Sequence, residues 1–132
     1  MLRYLLDSNL CIRVLRHRPP TLLARFNAEA GALAISTIVV NELLYGAARS
    51  ARPAANRREV EDFASRLEVL PFDYAAADHA AEIRARLAER GQSIGGFDAL
   101  IAGHARSRGL TVITGNLKEF TRVESLRCED WL

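Results

Sequence analysis

Arg3-Tyr4-Leu5-Leu6-Asp7-Ser8-Asn9 is the stretch whose reading decides the fold. Its apolar run is too continuous for a strand with one wet face, so it predicts a short strand buried on both sides, as in a parallel sheet covered by helices. The run stops at a carboxylate. Asp7 then falls at the strand's carboxyl end, where open α/β sheets place their ligands. Ser8 or Asn9 can cap a following helix by accepting a hydrogen bond from a free backbone N–H, and Asp7 itself can be no more than such a cap. Later carboxylates in matching places tip the reading from cap to active-site acid.

Downstream, Leu10 to Arg16 predicts a short helix with Ile12 and Leu15 facing inward, broken by Pro19-Pro20. Thr21 is placed to cap a second helix running through Glu29. Ala32 to Ser36 reads as a compact apolar strand, and Ser36 or Thr37 caps a helix to about Ser50 with Val39, Val40, Leu43, Leu44 and Ala47 on one face. Beyond an arginine- and alanine-rich junction over Arg49 to Arg58, broken by Pro53, a helix ends near Leu67, followed by a very short strand at Val69-Leu70. Asp73 or its neighbour opens a long helix to Arg90, with Gly91 as its stop. Another helix runs from the Ser93-to-Asp98 segment to about Ser107, with Phe97, Leu100, Ile101 and Ala105 at 3–4 spacing. Thr111 to Thr114 predicts a fourth strand, and a last one falls around Val123 to Leu126. Strands alternating with helices argue for one α/β domain over residues 1–132: a short, mostly parallel sheet of four to five strands, flanked by helices on both faces.

At 132 residues the chain is one domain's worth, and 49% hydrophobic with 26% charged residues describes a folded protein rather than a disordered one. No apolar run reaches the roughly 20 residues of a membrane helix. Met1-Leu2-Arg3 does not open a signal peptide, so a cytoplasmic protein is expected. Cys11 and Cys128 share no metal-binding or redox spacing and read as a buried thiol and a near-terminal free thiol. The scattered His17, His79 and His104 give little support for a histidine metal site. His104 falls on a small-residue helix face and reads as a packed or surface imidazole. Net charge is only +2, yet Lys118 is the single lysine among 18 basic residues. Arginine suits bidentate phosphate pairing, although a coding bias towards arginine gives the same signature.

In this layout Asp7 follows the first strand, Glu42 lies in the helix after the second, and Asp98 opens the helix before the fourth. Asn116 and Glu119 come just after the fourth strand. A parallel sheet brings such positions to one edge. Each has an ordinary alternative: Glu42 can pair with Arg49, Asp98 can favour the positive end of its helix, and Glu119 can be a solvated turn residue. Acids crowded in apolar surroundings repel and take up protons unless a cation neutralises them. Hard divalent cations prefer oxygen ligands, and such a site suits metal-assisted phosphoryl hydrolysis. No Ser-His-Asp order, reactive cysteine motif, Walker loop or full Gly-x-Gly-x-x-Gly suggests other chemistry. A phosphatase of the haloacid-dehalogenase type needs a second Asp where this chain has Asn9.

Leu-Leu-Asp-Ser-Asn at 5–9, Asn-Glu-Leu-Leu-Tyr-Gly at 41–46, Ile-Gly-Gly-Phe-Asp-Ala-Leu-Ile-Ala at 94–102 and Thr-Gly-Asn-Leu-Lys-Glu-Phe at 114–120 resemble the PIN-domain ribonucleases, and more narrowly the VapC toxins of type II toxin–antitoxin systems. Leu-Pro-Phe-Asp at 70–73 and Glu-Asp-Trp at 129–131 are in the same style. The resemblance covers essentially the whole chain in order. It implies a PIN-like fold and a Mg²⁺- or Mn²⁺-dependent endoribonuclease that arrests translation by cutting structured RNA, in many members tRNA. It also implies a homodimer, a cognate antitoxin that blocks the site, and promoter DNA contacted only through the antitoxin complex. Asp7, Glu42 and Asp98 match the family's acidic triad, with Asp7 and Asp98 as metal ligands. Asn116 stands where many relatives have Asp, and Glu119 is the candidate for the missing charge. Arg13, Arg16 and Arg18 are candidate RNA contacts, with Arg49, Arg52, Arg57 and Arg58 as a second group. The Asn116 departure leaves a catalytically weak PIN-like module, binding RNA or protein without cutting, as the alternative. An apolar groove near Leu43, Leu44 and Tyr45 is a candidate seat for an antitoxin helix, against core packing for the two leucines.

Overall fold

The three apolar residues of the opening stretch form β1, Tyr4–Leu6, and all three are buried. In the computed structural model, which describes residues 1–132, β1 is the middle strand of five. The others are β2 (Leu33–Ser36), β3 (Glu68–Leu70), β4 (Thr111–Ile113) and β5 (Cys128–Glu129), and the sheet order is β3-β2-β1-β4-β5. Every pairing is parallel, with Tyr4 opposite Leu33 on one side and Thr111 on the other. Parallel strands cannot be joined by tight turns, so each step needs a crossover, and right-handed crossovers place the helices. The chain steps from β1 outward through β2 to β3, carrying α1 (Ser8–Leu15), α2 (Pro20–Ala28), α3 (Thr37–Ala48) and α4 (Pro53–Ser65) on one face. It then returns across the sheet to β4 and β5, which puts α5 (Tyr74–Glu89) and α6 (Gly96–Arg108) on the other, with the single turn α7 (Leu117–Phe120) between the last two strands. Leu5, Leu6, Ile35, Val112 and Ile113 fill the sheet's centre and are fully buried.

Several expectations are corrected. The second helix starts at Pro20 with Pro19 before it and no side-chain cap, so Thr21 lies inside its first turn. Proline suits that first position, where its missing N–H would be unpaired anyway. In α1 the buried residues are Leu10, Cys11 and Val14, while Ile12 and Leu15 are only half-buried. The last strand is Cys128–Glu129, not 123–126: Val112 N–H donates to Arg127 and Thr114 N–H to Glu129, which draws the later residues into the sheet. Val123 is buried all the same, in the loop before it. Phe97 is 52% exposed, so its 3–4 spacing with Leu100 and Ile101 does not mark a core residue. Ser36 and Asp73 cap α3 and α5 as expected, and Gly91 and Gly109 take left-handed conformations at the helix ends.

His104 is packed inside, 1% exposed, with its ring edge against Phe72 at 5.4 Å and no partner for either ring nitrogen. Burial pushes its pKa down and keeps the imidazole neutral. Cys11 is a buried free thiol and Cys128 a half-buried one. No helix is long and apolar enough to cross a membrane.

Helices α5 and α6 cross most closely at Gly103. A Cβ there would lie 2.5 Å from the Ala80 backbone nitrogen, so the two backbones meet where a side chain has no room. Intrinsic propensity favours alanine over glycine inside a helix by about 1 kcal/mol. Overpacking opposes it and decides the sign: Gly103→Ala is expected to destabilise the fold by about 1–3 kcal/mol in urea unfolding.

Candidate active site

The connections leaving β1 and β4 run to opposite sides of the sheet, which opens a crevice between their carboxyl ends, the place where open α/β sheets bind ligands. Asp7 stands at that crevice, its backbone N–H donating to the Ile113 carbonyl at 3.1 Å. Its carboxylate also caps α1 by accepting from Leu10 N–H at 2.9 Å, so cap and site acid are one residue. Asp7 is only 5% exposed, and its pKa is raised by burial first, then by the negative charges of Glu42 and Asp130. The Thr114 hydroxyl and the Leu10 N–H pull the other way.

Glu42 lies in the second turn of α3 and is half-buried. It makes no ion pair with Arg49; its Oε1 accepts from Ser8 Oγ at 2.5 Å, which ties the start of α1 to α3. Asp98, in the first turn of α6, faces the residues that follow β4. Asn116 Nδ2 donates to Asp98 Oδ2 at 3.4 Å, and Glu119 on α7 lies close enough to share a hydrogen bond with the same carboxyl. Burial, that hydrogen bond and the Glu119 charge, with a further push from Asp7, raise Asp98 to about 7. Glu119 is shifted down by the same contact, so the two carboxyls titrate as a pair.

The five sequence candidates thus form a trio, Asp98, Asn116 and Glu119, facing a pair, Asp7 and Glu42, with Asp7 electrostatically linked to both. No ion pair with an arginine or lysine neutralises any of these carboxylates. As the side chains stand, no three of them make a closed ligand cluster. The donor set is nonetheless all hard oxygen, and burial together with the neighbouring charges raises both Asp7 and Asp98. A magnesium ion, which keeps several waters and takes one or two carboxylates, suits so open an arrangement.

Asp7 and Asn116 line a cleft of about 560 Å³ whose other walls include Asn9, Ile12, Arg13, Arg16 and Arg18. The first arginine group therefore shares one cleft with Asp7 and Asn116. Arg49, Arg52, Arg57 and Arg58 do not line it, and Arg57 pairs with Glu61 at 3.7 Å. The α1–α3–α4 groove is lined by Leu15, Leu43, Ala47 and Val60 but not by Leu44 or Tyr45; Tyr45 is exposed on a separate face.

Three neighbours of the site were not among the expected site residues. Ser8, expected as a cap, is instead the donor to Glu42. Thr114 acts on Asp7 and accepts from Asn116 N–H at 2.8 Å. Asp130, one residue beyond β5, faces Asp7, and its signal was the strand boundary: a strand ending at Glu129 gives Asp130 the same address that Asp7 has after β1.

Residues 4–126 match the family described as PIN domain. The chain is 48% identical over 131 residues to the "tRNA(fMet)-specific endonuclease VapC" of Shigella flexneri, covering 99% of each chain. It is 46% identical over 132 residues to "Ribonuclease VapC2" of Haemophilus influenzae, covering all of both. The crystal structure of DNA-bound VapBC from Salmonella typhimurium contains a chain that superposes with a TM-score of 0.96 at 48% identity, covering 100% of each. The conjunction of this fold, this carboxylate edge and these relatives is sufficient: the chain belongs to the PIN-domain family and, within it, to the VapC ribonucleases.

Proposed function

We propose that this protein is a Mg²⁺- or Mn²⁺-dependent endoribonuclease toxin of the cytoplasm that hydrolyses phosphodiester bonds in structured RNA, with tRNA as the substrate class, and is silenced by a cognate antitoxin. The observation that carries the reading is unneutralised carboxylates at the β1–β4 crevice opening into an arginine-lined cleft. The tRNA assignment is supported by the relative's specificity, and the antitoxin by the VapBC complexes among the structural neighbours. Contact with promoter DNA belongs to the toxin–antitoxin complex rather than to this chain alone.

Asp7 and Asp98 would hold the ion, with Glu42 and Glu119 adding charge around it. When bound, the ion supplies Lewis acidity toward the scissile phosphate and offsets the crowding of the acids. Arg13, Arg16 and Arg18 bind flanking phosphates and fix the register of the strand. Glu42, held by Ser8, is placed to accept a proton from the attacking water. Asn116 orients a phosphate oxygen or water through the amide it now gives to Asp98. Attack by water leaves a 5′-phosphate and a 3′-hydroxyl; a cyclic phosphate would mean attack by the RNA's own 2′-hydroxyl.

The direct test is cleavage of total tRNA by the chain freed of any partner, with end-mapping of the fragments. Asp98→Asn is expected to lower cleavage by on the order of 100-fold or more, since it removes a residue that would hold an ion worth several kcal/mol at the transition state, with the circular dichroism spectrum unchanged. EDTA is expected to do the same to the wild type. Full activity in either arm, or folded protein that binds tRNA without cutting, overturns the metal-dependent reading.

The pH dependence has a definite sign. Asp98 is raised to about 7 in the fold, so between about pH 4 and 7 the native state binds a proton that the unfolded chain releases. Its stabilising contribution is complete below the unfolded pKa and is lost as pH rises through the folded one. Asp7 is shifted in the same direction; Glu119, shifted down, gives up its contribution only in more acidic solution. In EDTA, the melting temperature of the wild type is therefore expected to fall relative to Asp98→Asn between pH 4 and 7. A constant difference across that window contradicts the crowding.

Arginine contacts are read by salt. Replacing Arg13 and Arg16 together by alanine is expected to weaken tRNA binding and to reduce the slope of log K against log salt by about 1 to 2. An unchanged slope removes both from the phosphate path.

A further inference from the structure

The Glu-Asp-Trp tail at 129–131 is a sequence feature of the family resemblance to which no task has yet been assigned. Strand β5 runs parallel to β4, with Glu129 opposite Ile113, and Thr114 N–H donates to the Glu129 carbonyl at 3.0 Å. Asp130 therefore emerges at the same sheet edge as Asp7, Thr114 and Asn116. The tail after it is anchored. Trp131 is buried, its ring edge-on to Tyr4 at 5.0 Å and its face under the Arg25 guanidinium at 4.5 Å. Leu132 lines the cleft with Asp7, Asn116 and the α1 arginines, against Gly115, where an added Cβ would come within 3.2 Å of its side chain. Asp130 Oδ1 accepts from Leu132 N–H at 2.8 Å, and no side chain bonds to its other oxygen.

The neighbouring acid is disposed of differently. Glu129 faces Arg25 at 3.9 Å and accepts from the Trp131 indole at 3.2 Å. No cation pairs with Asp130, which stands with Glu42 among the negative charges acting on Asp7. Two adjacent carboxylates on one rigid tail thus face opposite tasks: one holds the tail down, and the other adds unneutralised charge to the crevice.

We propose that Asp130 is a further positioning residue of this site, which helps hold a hydrated divalent cation at Asp7 through the negative charge and free carboxylate oxygen it brings to the crevice edge. The inference rests on the metal-dependent reading and extends it by one residue. Asp130 would act on a bound ion through its charge rather than on the reacting phosphate, so its effect is read in cation affinity and not in activity alone.

The test is calorimetric titration of Mn²⁺ into the full chain, freed of partner and metal. Asp130→Asn keeps the acceptor for Leu132 N–H and removes only the charge; Asp130→Ser is a second neutral variant that also keeps an acceptor, for use if the first melts early. Either is expected to weaken Mn²⁺ binding about three- to tenfold, as loss of one charge near a divalent ion in a partly wet site does, while Asp130→Glu restores it. Glu129→Gln, which removes an equal charge one residue away, is expected to leave the affinity unchanged. Unchanged Mn²⁺ affinity in both neutral variants, or equal weakening by Glu129→Gln, overturns the assignment of Asp130 and leaves the metal reading standing. No Mn²⁺ binding by the wild type overturns both.

Discussion

Backbone pairing on both sides of β1 fixes Asp7 before any side-chain chemistry begins. The strand is only three residues long, but β2 and β4 flank it, all three of its side chains are buried, and the Asp7 N–H is already committed to Ile113. A carboxylate pinned in this way cannot turn out to solvent when other acids approach. Asp98 and Glu42 arrive on helices that pack on opposite faces of the sheet, and α7 brings Glu119. The repulsion among them is therefore built into the fold, and protonation relieves it in the absence of a cation.

The acids also divide the work of folding. Asp73 caps α5, and Glu29, Glu61, Asp62, Glu82 and Glu124 pair with arginines, mostly on the exposed surface where each pair adds little. The crevice acids get hydrogen bonds from Ser8, Leu10 and Asn116 instead of counter-charges. Hydrogen bonds of this kind orient a carboxylate without cancelling its charge. A site meant to attract a cation needs that combination.

Much of this was legible in the sequence, and the parts that were not have identifiable causes. A continuous apolar run ending in Asp7, followed by alternating strands and helices, was enough for the parallel sheet and for the edge where the acids meet. Helix ends were legible where glycine or Asp73 carried the signal. The last strand was misplaced because its two residues, Cys128 and Glu129, have no apolar pattern of their own; they are strand only because β4 offers them an edge. The place of Asp130 at the crevice edge was hidden for the same reason, although the Glu-Asp-Trp tail itself stood out. Phe97 shows that 3–4 spacing marks a helix without saying which of its faces is covered. Ser8 shows a further limit: whether a hydroxyl caps its own helix or reaches another one is decided by α3, 34 residues away.

Asp7 is at once a helix cap and a crevice acid, and that double duty bears on how inactive forms of such proteins are made. Alanine at position 7 would delete a capping bond worth about 1 kcal/mol along with the carboxylate. A silent Asp7→Ala variant would then confound damage to α1, which carries Arg13 and ends at Arg16, with loss of the acid itself. Asparagine caps about as well as aspartate. Asn at 7 separates the two jobs that one side chain performs here, and gives the cleaner decoy for trapping an intact substrate in the cleft.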